Sequence, residues 1–403
     1  MTMKAKTLSE VYDSFDPQEP LKGEKLKTYY VDRKSKIKEE VLWKIKSSRR
    51  PLKILFTGTR GNGNTTELNK LAEEARKELF VIFFSTKNRL DVANLTYVDL
   101  LLNVGLQIYG HIKNKIEIDP QLEDALGTWS SRIIEKVREE QEVFEVGGGI
   151  SALLKLVGAM KSQASTREII RRKVEPKLSE LLDIINRMIT HAEEKLGKIF
   201  VIVDDLGKMV PEQMEDLFFR YSATLTQLQC SVLYTASGSL QLRKKYLWPV
   251  RYFDYEISIP IMHLFDKNGN LIYENKELMK NVALYRMKED LIDEDALEYA
   301  VEMSGGVLHD FVRIIRESAA KAHGNNNSKI EKDDVELVAS SIRNENLRFL
   351  WGDDLEMLKM VAATHKKLDV KRFNDLFFSL VILEYLNNEV WYDVHPIVKG
   401  VLE

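Results

Sequence analysis

Through the first 260 residues, short apolar runs alternate with longer stretches whose apolar positions recur every three or four residues. The short runs are KILFTG (53–58), LFVIFFS (79–85), IFVIVDD (199–205), SVLYTAS (231–237) and YFDYEISI (252–259). TTELNKLAEEARKEL (65–79) and VEPKLSELLDIINRMITHAEEKL (174–196) carry the helical period. Strands alternating with helices predict an α/β fold, a parallel sheet flanked by helices. More than 100 residues part the second run from the third. One crossover helix needs far fewer, so a helical insertion is expected at about residues 100–195. Within it, EVGGGISALLKLVGAMK (145–161) joins a triple glycine to an apolar run too short to span a bilayer. It reads as a packed hairpin or protein-contact loop in preference to a membrane-touching one.

Beyond about residue 275 helical patterns dominate: 275–290, 294–304, 308–323 and 332–350, with GNNNSK (324–329) as a connecting loop. After residue 352 the pattern is helix, helix, then two β-compatible runs around paired asparagines in ILEYLNNEVWYDVHPIVKGVL (382–402). That order predicts a winged helix. The expected division is an N-terminal segment (1–50), an α/β domain (51–262), a helical lid domain (263–350) and the winged-helix domain (351–403).

Composition narrows the function classes. With 403 residues and 44% apolar content the chain can build real cores. Its charged residues nearly cancel, to a formal −3, so no global field favours nucleic acid or an anionic membrane. The single cysteine, Cys230, excludes an internal disulfide and a thiolate metal cluster and reads as a buried structural thiol. The N-terminus has no apolar signal core and no window is long enough to span, so no membrane is expected and the location is read as cytoplasmic.

The candidate chemistry lies in KILFTGTRGNGNTTELNKL (53–71). Glycines let backbone N–H groups converge on an anion without Cβ atoms in the way, and the helix that follows adds a favourable dipole. Gly58, Gly61 and Gly63 permit that path, with Arg60 and Asn62 between them. Thr65 is placed for a hydroxyl contact to Mg²⁺, and Thr66 opens the helix. Asn64 stands where the pattern G-x-x-x-x-G-K-[ST] has lysine. The third strand ends in paired carboxylates. Asp204 is assigned to the metal's water shell and Asp205 to orienting an attacking water. Thr235 or Ser237, ending the fourth strand, is a candidate for sensing the γ phosphate, and a plain strand-to-helix turn is equally consistent with them.

With these parts in order, the chain resembles AAA+ and STAND P-loop ATPases that end in a winged helix. YYVDRKSKIKEEV (29–41) is similar to the segment that walls the adenine in those families, which implies Tyr30, Val31 and Arg33 for the base pocket. MSGGVLHDFVRII (303–315) is similar to the lid stretch that points an arginine at the nucleotide, and here His309 holds that position. The resemblance implies ATP or ADP with Mg²⁺, homo-oligomerisation or an effector partner, and a role in defence or stress signalling. Asn64 and His309 both remove permanent positive charge from the phosphate side, so weak or slow hydrolysis is expected, or binding alone. Arg60 within the loop, or Arg220, Arg243 or Arg251 from a partner subunit, could compensate, although each is more ordinarily a surface or salt-bridge residue. His395 reads as a structural histidine. A DNA-binding, origin-recognition-like ATPase is the alternative, as is a scaffold with a vestigial site. Residues 343–403 carry eight Lys or Arg against ten Asp or Glu, which disfavours DNA, while KKLDVKR (366–372) favours it.

Overall fold

The structure, a computed structural model, describes residues 4–33, 35–87, 90–91, 94–141, 151–162, 164–243, 251–387 and 389–402. The chain divides into two compact units. One comprises Lys36–Thr57 with Leu71–Ile257; the other comprises Met1–Ser35, Gly58–Lys70 and Ser258–Glu403.

The first unit is built on a five-stranded parallel sheet. Its strands are β1 (Lys53–Gly58), β2 (Phe80–Ser85), β3 (Ile199–Asp204), β4 (Ser231–Ser237) and β5 (Tyr255–Ile259), in the order β2-β3-β4-β1-β5. Every residue of β1, β3 and β4 is buried, as expected of central strands covered on both faces. Register follows from the parallel ladders, with Phe80 opposite Ile199 and Phe200 opposite Ser231. β4 therefore lies between the loop strand β1 and the acidic strand β3. β5 starts three residues later than its apolar pattern, because Asp254 turns its carboxylate to the Lys53 amide at 2.8 Å.

The expected insertion is present as helices Tyr97–Lys113, Pro120–Arg138, Ser151–Ser162, Ala164–Val174 and Leu178–Leu196. Leu101, Trp129, Leu153 and Ile185 from these helices share one core with Ile82 and Val201 of the sheet. The triple glycine at 147–149 lies outside the described residues; the apolar run after it forms the helix Ser151–Ser162. Cys230 is buried, and burial pushes its thiol up to about 12. No helix among the described residues is long and apolar enough to cross a membrane.

The second unit packs helices Leu8–Ser14, Tyr273–Leu284, Glu294–Met303, Leu308–Gly324 and Lys332–Leu347 around Val11, Phe15, Met279, Phe311 and Val335. The sequence pattern carries the first lid helix to residue 290, yet it stops at Leu284. There the chain turns to pair with the N-terminus, the Ala5 amide donating to the Arg286 carbonyl at 2.8 Å and the Lys288 amide to the Ala5 carbonyl at 3.1 Å. The C-terminal module has helices Gly352–Thr364 and Lys371–Phe378, then the antiparallel hairpin β6 (Ile382–Asn387) and β7 (Glu389–Val394). Tyr385 and Trp391 of this hairpin pack with Ile261 and Val307, and the Tyr385 hydroxyl donates to the Gly305 carbonyl at 2.9 Å.

Gly306 sits at a crowded corner of that unit. Its φ is +81°, and a Cβ there would penetrate the Met262 carbonyl. Gly306→Ala is expected to lower the urea-unfolding free energy by at least about 2 kcal/mol. At Gly324 a Cβ meets open space and φ is not left-handed, so Gly324→Ala should leave stability within about 0.5 kcal/mol or raise it.

Candidate phosphate-binding site

β1 leads directly into a turn at Gly58, and the helix Asn64–Ala75 begins six residues later. Two residues of the turn are left-handed, Gly61 at φ +72° and Gly63 at φ +76°. Left-handed positions interleaved with ordinary ones bring successive amides to one concave side, and the helix N-terminus lies at its end. The glycines also answer to close neighbours. A Cβ on Gly58 would fall 2.5 Å from the Asn64 carboxamide, one on Gly61 2.9 Å from the His309 Cβ, and one on Gly63 2.9 Å from Leu308 and 3.0 Å from the Arg33 guanidinium.

The loop is braced from its own unit. Asn62 is fully buried, and its amide donates to the carbonyls of Ile259 at 3.0 Å and Pro260 at 2.8 Å. Arg33 reaches the same residue, Nη1 donating to Asn62 Oδ1 at 3.1 Å and Nη2 to the Asn62 carbonyl. Its Nε lies 3.5 Å from Glu67, which accepts from the Tyr30 hydroxyl at 2.9 Å. Burial pulls the Arg33 guanidinium below its ordinary value, opposed by Glu67 and Tyr30. Burial and then the Glu67 charge raise the Tyr30 phenol far above its ordinary range. Thr66 accepts the Leu21 amide at 3.1 Å, and Val31 packs against the core of the unit. Of Tyr30, Val31 and Arg33, sequence candidates for a base pocket, Arg33 meets the loop directly, Tyr30 reaches it through Glu67, and Val31 packs against the helical core.

Asn64 folds back on the loop. Its Nδ2 donates to the Thr59 carbonyl at 3.0 Å, while Oδ1 is buried with no hydrogen-bond partner among the described residues. The exposed Arg60 stacks its guanidinium 5.1 Å from the centre of the Phe378 ring in the C-terminal module. Thr65, half-buried in the first helical turn, has a hydroxyl with no partner among the described residues.

The lid helix Leu308–Gly324 meets the loop end-on, the His309 amide donating to the Gly61 carbonyl at 2.8 Å. The His309 ring places Nδ1 3.0 Å from Asp310 Oδ1, and His395 Nε2 lies 3.1 Å from Asp310 Oδ2. His395 Nδ1 accepts the Ile397 amide at 3.3 Å, which caps the last helical turn and leaves Nε2 as the donor to Asp310. Burial alone pushes the Asp310 carboxyl up; hydrogen bonds from His309 and His395, with their charge, outweigh it and hold it well below the usual carboxylate range.

In the sheet unit, Asp204 and Asp205 end β3 beside Thr235 at the end of β4. Asp204 Oδ1 accepts the Asp205 amide at 2.7 Å. Asp205 is itself left-handed at φ +69°, takes a hydrogen bond from the Ser85 hydroxyl, and pairs with Lys208 at 2.5 Å. The Thr235 hydroxyl donates to the Val203 carbonyl at 3.2 Å and accepts the Leu206 amide at 3.1 Å, fixing the turn after β3. Ser237 caps the turn after β4 by accepting the Ser239 amide at 3.3 Å. Arg220 pairs with Asp216 at 3.7 Å and Arg243 with Glu215 at 2.7 Å, while Arg251 is exposed.

Neither a protein-family model nor a curated protein sequence matches the chain. Solved structures similar to it include Cdc6p from Pyrobaculum aerophilum, at 12% identity and a TM-score of 0.41, with 97% of each chain covered. Another is the ORC1 protein of Aeropyrum pernix in complex with DNA, at 11% identity and a TM-score of 0.45, with 94% of each covered. A third is the RuvB Holliday junction branch migration motor of Thermotoga maritima, at 12% identity and a TM-score of 0.35, covering 80% of this chain and 74% of that one. Likeness at this level carries no detail of chemistry, and the site is read from its own residues.

Glu67, Asp310, Phe378, Ser85 and Lys208 escaped the sequence reading. Glu67 had a signal, an acid in the first turn of the helix after the loop; Phe378 and Lys208 had none without the fold. The Arg33 brace yields a test. Removing one partner of a buried pair strands the other, so Arg33→Met should cost about 3 kcal/mol in urea unfolding. The double variant Arg33→Met with Glu67→Met should lose less than the sum of the two single changes.

Proposed function

We propose that this chain is a nucleotide-binding switch of the AAA+/STAND-like P-loop type, taking ATP or ADP with Mg²⁺ and turning over slowly or not at all. The observation that carries the reading is the strand-loop-helix with left-handed Gly61 and Gly63, closed by the amide of a lid helix on Gly61. Such a loop offers converging N–H groups and a helix N-terminus, which is the chemistry that polyphosphates select. The Thr65 hydroxyl, without a partner among the described residues, would also suit magnesium. When bound, the ion would neutralise phosphate charge.

Slow turnover follows from the charges. Asn64 offers at best a neutral hydrogen bond where a lysine would offer a charge-assisted one, a difference of about 1–2 kcal/mol in the ground state. The deficit grows in the transition state, where phosphoryl charge develops. The Lys208 pair supports assigning Asp205 to orienting a water in preference to taking its proton.

Support for a switch comes from what the loop touches. Arg60 reaches Phe378, and the lid helix on Gly61 holds His395 through Asp310, so loop and C-terminal module are joined at two points. A ligand that repositions the loop would bias that module toward or away from self-assembly or an effector protein. The DNA-binding alternative loses ground at Arg372, whose guanidinium is forked onto Asp354 at 2.8 and 2.7 Å instead of standing clear in the basic run 366–372.

Nucleotide binding and hydrolysis measured side by side for the native chain and Asn64→Lys test this reading. The lysine form should bind ATP about 5- to 30-fold more tightly and hydrolyse it faster by a larger factor. Equal affinity and rate in the two forms would contradict it, and salt-sensitive duplex binding by the native chain would favour the DNA reading.

A further inference from the structure

Between the helices Lys332–Leu347 and Gly352–Thr364, two large aromatic side chains stand in solvent, Phe349 at 72% exposure and Trp351 at 77%. The backbone that carries them is fixed. Arg372 Nη2 donates to the Phe349 carbonyl at 3.0 Å, and the same guanidinium is forked onto Asp354 at 2.8 and 2.7 Å. Asp354 in turn accepts the Trp351 amide at 2.9 Å, while the Phe349 amide donates to the Asn346 carbonyl at 3.1 Å. Rings held on a fixed backbone lose little entropy when a surface covers them, and tryptophan is among the residue types on which interface energy concentrates. Left in water, they contribute no burial to the fold.

Both signs of charge are open around the rings. Arg348 precedes Phe349, Lys371 precedes the clamping Arg372, and Asp353 follows Trp351 by two residues. All three are exposed and make no ion pair among the described residues.

We propose that this face binds a second copy of the chain about a two-fold axis, the rings of Phe349 and Trp351 packing on those of the other copy while Arg348 and Lys371 face Asp353 across it. A two-fold interface sets one patch against itself, so the patch must carry charges together with their counter-charges, as this one does. A patch of one sign would repel its copy. Asp353 beside Trp351 also disfavours a nucleic-acid phosphate at the same place. Area sets the strength. With each ring offering roughly 150–250 Å² and about three-quarters of it open, the four rings of two copies would remove roughly 450–750 Å² from water. A stable interface removes roughly 1,200–2,000 Å², so the association is weak and depends on concentration. It does not rest on nucleotide binding, and the two readings can fail separately.

The test is sedimentation velocity without nucleotide. The native chain should pass from monomer toward dimer between about 1 and 100 μM, and Phe349→Ser with Trp351→Ser should weaken that association at least about tenfold. Charge reversal tests the pairing. Asp353→Lys alone, and Arg348→Glu with Lys371→Glu, should each be monomeric where the native chain is dimeric, and the two variants mixed should associate again, which misfolded chains would not do. A native chain that stays monomeric throughout overturns the proposal. So does native association that the serine variant retains, or charge-reversed chains that stay apart when mixed. Binding of an oligonucleotide by a monomeric native chain, lost in the serine variant, overturns it as well and assigns the rings to nucleic acid.

Discussion

The hydrogen bond from the His309 amide to the Gly61 carbonyl exists only because neither partner is obstructed. Gly61 has no side chain to strike the His309 Cβ, and its left-handed φ turns the carbonyl toward the lid. From that contact the rest of the second unit follows. The lid helix starts on the loop, so its third residue, Asp310, is held where it can accept from His309 and His395 together. His395 in turn caps the last helical turn, and the hairpin that precedes it is pinned to Gly305 by Tyr385. Glycine here is a packing requirement as well as a conformational one.

Charge is the second constraint. The loop pattern G-x-x-x-x-G-K-[ST] sets a lysine against a polyphosphate, whereas here Asn64 holds that position and the neighbouring guanidiniums are turned to structural work. Arg33 is buried with Glu67 and shapes the turn from behind, and Arg60 covers an aromatic ring. On the proposed reading, an anion would meet backbone amides and a helix dipole, a site that would hold phosphate by geometry more than by fixed charge. In the sheet unit, the Lys208 pair and the Ser85 hydrogen bond hold Asp205 in place.

The fold was legible because its period signals were strong. All five strands of the sheet coincide with apolar runs in the sequence, and β4 falls between β1 and β3. Boundaries failed where tertiary contacts override local pattern: the helix expected to reach 290 yields at Leu284 to a pairing with Ala5. At the site, glycine positions and Thr65 were readable from spacing, whereas the roles of Arg33 and Arg60 were not. Spacing places a guanidinium near a loop but cannot say that Asn62, Glu67 or Phe378 will claim it, since those partners meet it only through the fold. His309 was marked for what it lacks relative to an arginine, and the carboxylate beside it, Asp310, was not singled out although it holds the ring at 3.0 Å.

Competition for bound ADP tests most directly that the backbone loop is a phosphate cradle. With a fluorescent ADP analogue on the native chain, inorganic pyrophosphate should displace the analogue and adenosine should not, because the binding energy lies in amides and helix dipole directed at phosphate. Displacement by adenosine with indifference to pyrophosphate, or failure of the analogue to bind at all, would contradict the account.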